Sequence, residues 1–415
     1  MQYGCIAEHL GHSFSKKIHA LLGDCSYELL ELTPEELDGF LRKRDFRGIN
    51  VTIPYKKSVL PYLDEADESV RRIGAANTLV NRDGKLYGYN TDFYGMCALL
   101  SHLGLDLKGK KVAILGTGGT SRTAFAVAEH LQAGRILLVS RTQKEDACSY
   151  ETLVHEHADV QILINTTPVG MYPHLEGIPV DPDCFPRLEG VVDAVYNPLR
   201  SRLVLQAKKR GIPAEGGLWM LVAQGVRASE HFLNTTYPQD TVGRVYSEVL
   251  RQTQNIVLIG MPGSGKSTVG ACLAGTLGRE FFDSDELIVA RAGKSIPQIF
   301  AEDGEAAFRD LESKVIRELL AAKSGAVIAT GGGAVLREEN VDALRQNGRI
   351  YFLDRPLKDL TATSDRPLAS DRAAIEARYA ERYARYCQCA DVRVDGSGSI
   401  EAVADRIEKE FVSTL

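Results

Sequence analysis

Two glycine turns, each between a short apolar run and a helix-like stretch, confine this chain to the α/β class. The first, Gly116-Thr117-Gly118-Gly119-Thr120-Ser121-Arg122, follows the run 111–115. The second, Gly260-Met261-Pro262-Gly263-Ser264-Gly265-Lys266-Ser267-Thr268, follows 256–259. Glycines at such turns let backbone N–H groups close on an anion at a helix N-terminus. The first turn has the form of a dinucleotide site and the second that of a nucleoside-triphosphate loop. Two cofactors in one chain imply two reactions.

A length of 415 residues exceeds one compact core and suits two or three domains. The net charge of −6, with no Lys/Arg run, argues against a nucleic-acid partner. Residues 1–10 lack a basic stretch followed by an apolar one, and no run of about 18 apolar residues occurs, so no membrane partner is expected. Eight scattered cysteines read as reduced thiols, and the expected location is cytoplasmic. Cys387-x-Cys389 and His155-x-His157 lack neighbouring ligands and read as structural. Nothing in the sequence sets an oligomeric state.

Apolar runs alternate with helical stretches. Strands are expected near 2–6, 27–32, 49–53 and 78–81, then near 112–115, 135–139, 162–165 and 191–193. Thr33-Pro34-Glu35-Glu36 is a helix start, with Thr33 as cap, Pro34 in the first turn and Glu36 closing a capping box. A third series begins at 255.

In the triphosphate loop, Gly263, Ser264, Gly265 and Thr268 line the turn, Lys266 reaches the β/γ oxygens, and the Ser267 hydroxyl suits Mg²⁺. One helix later, Phe282-Asp283-Ser284-Asp285 places Asp283 to hold Mg²⁺ through water and Asp285 to accept a hydroxyl proton. Phe308-Arg309-x-x-Glu312 offers a guanidinium for a carboxylate. Thr330-Gly331-Gly332-Gly333 lets backbone approach a small ligand. Taken singly, these read equally as a cap, an ion pair and a turn. In this order, from Asn255 onward, they resemble the shikimate kinase family. The resemblance implies Asp285 as base at the shikimate hydroxyl, with Arg309, Gly331, Gly332 and Gly333 binding shikimate. Asp365-Arg366-Pro367-Leu368 matches the family's lid, so Arg366 would act on ATP and the moving phosphoryl group. Arg382-x-x-x-Tyr386 before Ala390-Asp391-Val392 implies Arg382 as a carboxylate ligand. The segment between Leu368 and Arg382 is short for the family.

In the first half, the strand at 135–139 ends in Ser140-Arg141-Thr142, without an acid. An acid there binds the 2′-hydroxyl of NAD, whereas Arg141 suits the 2′-phosphate of NADP. The residues His12-Ser13-x-Ser15, Asn50-Val51-Thr52-x-Pro54-x-Lys56, Asn77-Thr78 and Asn90-Thr91-Asp92 resemble the shikimate dehydrogenase family. So do Asn165-Thr166-Thr167-Pro168, Asp193-x-x-Tyr196-x-Pro198 and Gly217-x-x-Met220-Leu221-x-x-Gln224. The resemblance spans about 1–252. It implies that Ser13, Ser15, Thr52, Asn77, Tyr196 and Gln224 bind the substrate's hydroxyls and carboxylate. Lys56 would deliver a proton while Asp92 orients it and binds a hydroxyl. Gly116, Thr117, Gly118, Gly119, Thr120, Ser140, Arg141, Thr142 and Gly217 would hold the cofactor. Departures from the family are Lys16 for a proline, Ser140 for an asparagine, Ser201 for a threonine, and Glu145, beside Lys144, for a basic residue.

The expected fold is α/β throughout: a substrate-binding domain (1–105), a Rossmann-type NADP domain (106–252, with helices near 217–252 packing back on the first), and a P-loop kinase domain with a parallel sheet (253–415). The two resemblances imply NADPH-dependent reduction of 3-dehydroshikimate to shikimate, then MgATP-dependent phosphorylation of shikimate. The alternatives are an NAD-using quinate/shikimate dehydrogenase joined to the kinase, or one degenerate, regulatory half.

Overall fold

The computed structural model describes residues 2–10, 14–23, 26–142, 144–360 and 372–414. Among them are three sheets. The first has strands β1 (Tyr3–Ala7), β2 (Tyr27–Glu31), β3 (Gly48–Val51), β4 (Glu65–Ala66), β5 (Thr78–Arg82) and β6 (Lys85–Tyr89), in the order β2-β1-β3-β5-β6-β4. Strand β1 runs parallel to β2 and β3, whereas β5 is antiparallel to both β3 and β6. The sequence reading found β5 but not β6. The turn between them is Asp83-Gly84, with φ of 53° and 84°, and such a pair between strands is a hairpin signal. The helix Pro34–Lys43 starts as expected, with Thr33 and Glu36 closing a capping box.

The second sheet is all parallel. It contains β7 (Lys111–Leu115), β8 (Arg135–Val139), β9 (Ile162–Asn165), β10 (Gly190–Asp193) and β11 (Ala214–Glu215), in the order β11-β10-β9-β7-β8. The third is also parallel, with β12 (Asn255–Ile259), β13 (Phe281–Asp283), β14 (Val327–Ala329), β15 (Gly348–Asp354) and β16 (Val392–Asp395), in the order β13-β14-β12-β15-β16. Every residue of β12 is buried. Helices cover both faces of such a sheet, so a central strand carries a continuous apolar run, here residues 256–259, rather than an alternating one. The glycine turns leave the C-terminal ends of β7 and β12, where doubly wound sheets bind ligands.

The chain forms two compact units. The first comprises Met1–Met171, Gly177–Tyr196 and Leu203–Val249; the second comprises Tyr172–Glu176, Asn197–Arg202 and Leu250–Leu415. In the first unit, the helix Leu218–Leu233 lies close against the helix Thr91–His102. A Cβ on Gly95 would stand 2.6 Å from Met220 O and 3.1 Å from Gln224 Cβ, so glycine permits the approach. In the second unit, Leu175 joins the core formed by Val257, Ile328 and Phe352. Gln346 Nε2 donates to Leu175 O at 2.8 Å, and Leu199 N donates to Asn347 Oδ1 at 2.9 Å.

Candidate active sites

The first unit has a cavity of about 340 Å³ lined by Ser15, Thr52, Lys56, Asn77, Asp92, Tyr196 and Gln224. These are seven of the residues expected to meet substrate; Ser13 lies outside the described residues. Lys56 follows β3 in a turn whose backbone is tied to the segment leading into β5, since Ala76 N donates to Lys56 O at 2.9 Å. Asp92 sits in the first turn of the helix Thr91–His102, where the helix dipole favours a carboxylate. Lys56 Nζ donates to Asp92 Oδ2 at 2.5 Å, with side chains 24% and 16% exposed. Both residues line the cavity, and their partial burial limits solvent screening of the pair.

Around the pair, hydrogen bonds fix amide orientations. Asn77 Oδ1 accepts from Thr91 N at 2.7 Å, which leaves its amino group to serve the cavity. Gln224 Nε2 donates to Leu221 O at 3.0 Å, and Thr91 Oγ1 bonds Gln224 Oε1 at 3.2 Å. Burial holds the Tyr196 hydroxyl above its ordinary range, so it stays a donor. Cys5 also lines this cavity, yet burial pushes its thiol up to about 12 despite the nearby Lys56. It is therefore a wall and not a nucleophile.

The cofactor turn fits a dinucleotide. Gly116 has φ +108°, and a Cβ there would lie 2.8 Å from Thr166 Oγ1. Cβ atoms on Gly118 or Gly119 would meet nothing within 4 Å, leaving the loop open to a pyrophosphate. Gly118 is the N-cap of the helix Gly119–His130, and Thr120 lies in its first turn. Thr142 N donates to Ser140 Oγ at 3.2 Å, making a compact turn that presents Arg141. Gly217 caps the helix Leu218–Leu233, and a Cβ there would strike Ala194 O. One residue that the sequence reading named only as the neighbour of Glu145 joins this site. Lys144 Nζ donates to Thr117 Oγ1 at 2.6 Å, bringing a cation onto the glycine loop one position before Glu145.

In the second unit the phosphate loop ends in the helix Lys266–Leu277. Lys266 Nζ donates to Gly260 O at 3.0 Å and Met261 O at 2.9 Å. Ser267 Oγ donates to Asp283 Oδ2 at 2.5 Å, and Asp283 Oδ1 accepts from Asp285 N at 2.8 Å. Among the described residues no group of three or more His, Cys, Asp or Glu could enclose a metal. A Ser–Asp pair beside a phosphate loop nevertheless suits Mg²⁺, which keeps waters and shares phosphate oxygens.

Beside this loop, three glycines each meet a different neighbour. A Cβ on Gly331 would lie 2.6 Å from Asp285 Oδ1 and 2.9 Å from Glu312 Oε1. One on Gly332 would lie 2.8 Å from Pro262 Cδ, and one on Gly333 would overlap the Arg309 guanidinium. Arg309 Nη1 donates to Glu312 Oε2 at 2.8 Å. Buried Arg382 lies within 3.5 Å of Gly332 O, to which Tyr386 also donates. Asp285, Arg309, the glycines and Arg382 thus lie around one point. Glu312 belongs to this cluster too, with burial raising its carboxyl against the opposing effect of Arg309. Arg366 lies outside the described residues.

The sequence profile of the shikimate dehydrogenase substrate binding domain matches residues 5–79, and that of shikimate kinase matches 262–412. A shikimate dehydrogenase (NADP(+)) of Clostridium perfringens is 36% identical over 265 residues, covering 60% of this chain and 97% of that protein. The chain belongs to the shikimate dehydrogenase family. Beyond that region it carries a shikimate kinase domain. The crystal structure of shikimate dehydrogenase 1 from Peptoclostridium difficile is similar at a TM-score of 0.54 and 33% identity, covering 60% of this chain and 97% of that one. A chorismate mutase/shikimate 5-dehydrogenase fusion protein from Clostridium acetobutylicum is similar at 0.57 and 33%, covering 59% and 95%. The shikimate 5-dehydrogenase of Thermus thermophilus, solved with NADP(H) and shikimate, is similar at 0.54 and 28%, covering 60% and 99%.

Proposed function

We infer that this chain is a bifunctional shikimate-pathway enzyme that reduces 3-dehydroshikimate to shikimate with NADPH and then phosphorylates shikimate with MgATP. One observation carries the reading: each unit gathers cations and hydrogen-bond donors suited to a small hydroxylated carboxylate, and the product of the first reaction is the acceptor for the second. The two family matches and the NADP named for relatives support it. Residues 1–105 serve the first substrate, 106–252 its cofactor and 253–415 the kinase.

Bound NADPH supplies the hydride. Lys56 then stabilises the developing alkoxide and gives it a proton, while Asp92 aims the ammonium. Ser15, Thr52, Asn77, Tyr196 and Gln224 orient the ring, with Ser13 completing the set. Gly116, Thr117, Gly118, Gly119, Thr120 and Gly217 admit the cofactor backbone, and Ser140, Arg141 and Thr142 select the 2′-phosphate.

In the second unit, bound MgATP supplies the phosphoryl group. Asp285 takes the proton of the acceptor hydroxyl, and Arg309 and Arg382 hold its carboxylate. Lys266 and Arg366 neutralise phosphate charge, and Ser267 and Asp283 orient the metal. Incubation with 3-dehydroshikimate, NADPH, ATP and Mg²⁺, followed by mass spectrometry, tests the whole scheme. Shikimate 3-phosphate is the expected product. Shikimate alone would remove the kinase assignment, and unchanged 3-dehydroshikimate would remove the first. Faster reduction with NADH than with NADPH would favour the NAD-using alternative.

A further inference from the structure

The order of the third sheet gives the phosphate loop two sides. The loop leaves β12, and the acceptor cluster of Asp285 and Gly331–Gly333 stands on the β13–β14 side. A nucleotide whose terminal phosphate points to that cluster must run its remaining phosphates towards β15 and β16. Arg355 occupies that other side. It directly follows β15, and Gly396, directly after β16, donates from N to Asp354 O at 3.0 Å. A Cβ on Gly396 would lie 3.2 Å from Arg355 N, so the turn packs against the arginine's backbone. At the other end of the side chain, a Cβ on Gly265 of the phosphate loop would lie 3.6 Å from Arg355 Nη1. The guanidinium therefore spans from the β15–β16 seam to the loop.

Among the described residues this cation is not fully satisfied. Its Nε is buried without a hydrogen-bond partner there. The adjacent Asp354 carboxylate is engaged elsewhere through Oδ2, at 2.5 Å by Arg393 Nη2 and at 3.1 Å by Tyr383 Oη. A partly buried guanidinium whose neighbouring acid serves another cation is costly unless an anion arrives. The phosphate loop is built to bring one to Gly265.

We propose that Arg355 is a ligand of the nucleotide's phosphate chain, gripping it from the side opposite the phosphoryl acceptor. The proposal rests on the kinase reading of the second unit. Isothermal titration of the intact chain with Mg²⁺–ADP, and separately with inorganic tripolyphosphate, tests both ideas apart. In Arg355→Met the affinity for both probes falls about 10- to 100-fold, the loss typical of a charge-assisted hydrogen bond. Arg355→Lys recovers part of it, because it keeps the charge but loses the fork. Affinities within twofold of the parent for both probes overturn the proposal. So does loss of ADP binding with tripolyphosphate unchanged, because the side chain would then hold the nucleoside. Should Arg355→Met fail to fold by circular dichroism, Arg355→Lys decides: weakened binding of both probes supports the assignment, and unchanged binding refutes it. A parent chain that binds neither probe overturns the kinase reading itself.

Discussion

Lys56 and Asp92 are 36 positions apart and meet at 2.5 Å, a pairing that no local pattern could announce. Each was legible only through its neighbours, the Asn-Val-Thr and Asn-Thr-Asp settings. Lys144 and Glu312 were less legible because their importance lies in contacts: one crosses 27 positions to Thr117, the other shares a point with Asp285 over Gly331. We expect Lys56→Ala to slow ketone reduction by roughly 10²–10⁴-fold, the range of a lost general acid. Phosphorylation of added shikimate should continue at the parental rate, and equal loss of both activities would refute two separate sites. Gly333→Ala tests the other cluster. Its Cβ would enter the Arg309 guanidinium, so the KM for shikimate should rise about tenfold or more as that charge-assisted contact is lost. Gly275→Ala, where a Cβ meets nothing within 4 Å, serves as the control. An unchanged KM in Gly333→Ala would mean Arg309 does not hold the substrate.

Elements were legible in proportion to how far their own side chains decide them. The apolar runs of β7 and β12 declared themselves, whereas β4 and β11, two residues each, exist through pairing with β6 and β10. The short helix Ser15–Leu21 carries a consequence for acid stability. Its His19 is buried, stacked on Tyr27 at 4.0 Å, and burial lowers its pKa to about 4. Burial likewise lowers His231 to about 4. Above the ordinary value of 6.5 both forms of the chain hold a neutral imidazole, so pH has no leverage there. Below it the unfolded chain takes the proton first, and stability falls until the folded form also protonates near pH 4. The shift corresponds to about 3 kcal/mol for His19 as an upper bound. Melting temperatures recorded between pH 7 and 4 should fall less steeply in His19→Asn than in the parent, with the His231 slope remaining. Parallel curves would show that His19 is not titrating through this range.

At the scale of the whole chain, the two glycine turns revealed two cofactor folds, and order of motifs revealed the two families. What the sequence concealed is that the second unit is not one continuous stretch. Leu175 lies between β9 and β10, yet its side chain is 6% exposed within the core of the second unit. Leu175→Ala should therefore destabilise the kinase by about 2–5 kcal/mol, the cost of an emptied core site. Kinase activity should disappear at lower urea in this variant than in the parent; an unchanged midpoint would place Leu175 outside that core.

A chain is also made in one direction and over time. When Leu175 is added to the growing chain, the side chain of Gln346 that will bond it is still 171 residues from being made. At typical elongation rates that is a wait on the order of 10 s. Leu199 waits in the same way for Asn347, 148 residues later. The second unit is thus begun early and finished late, and for that interval two short stretches of it must stay unpaired without being claimed by a wrong partner.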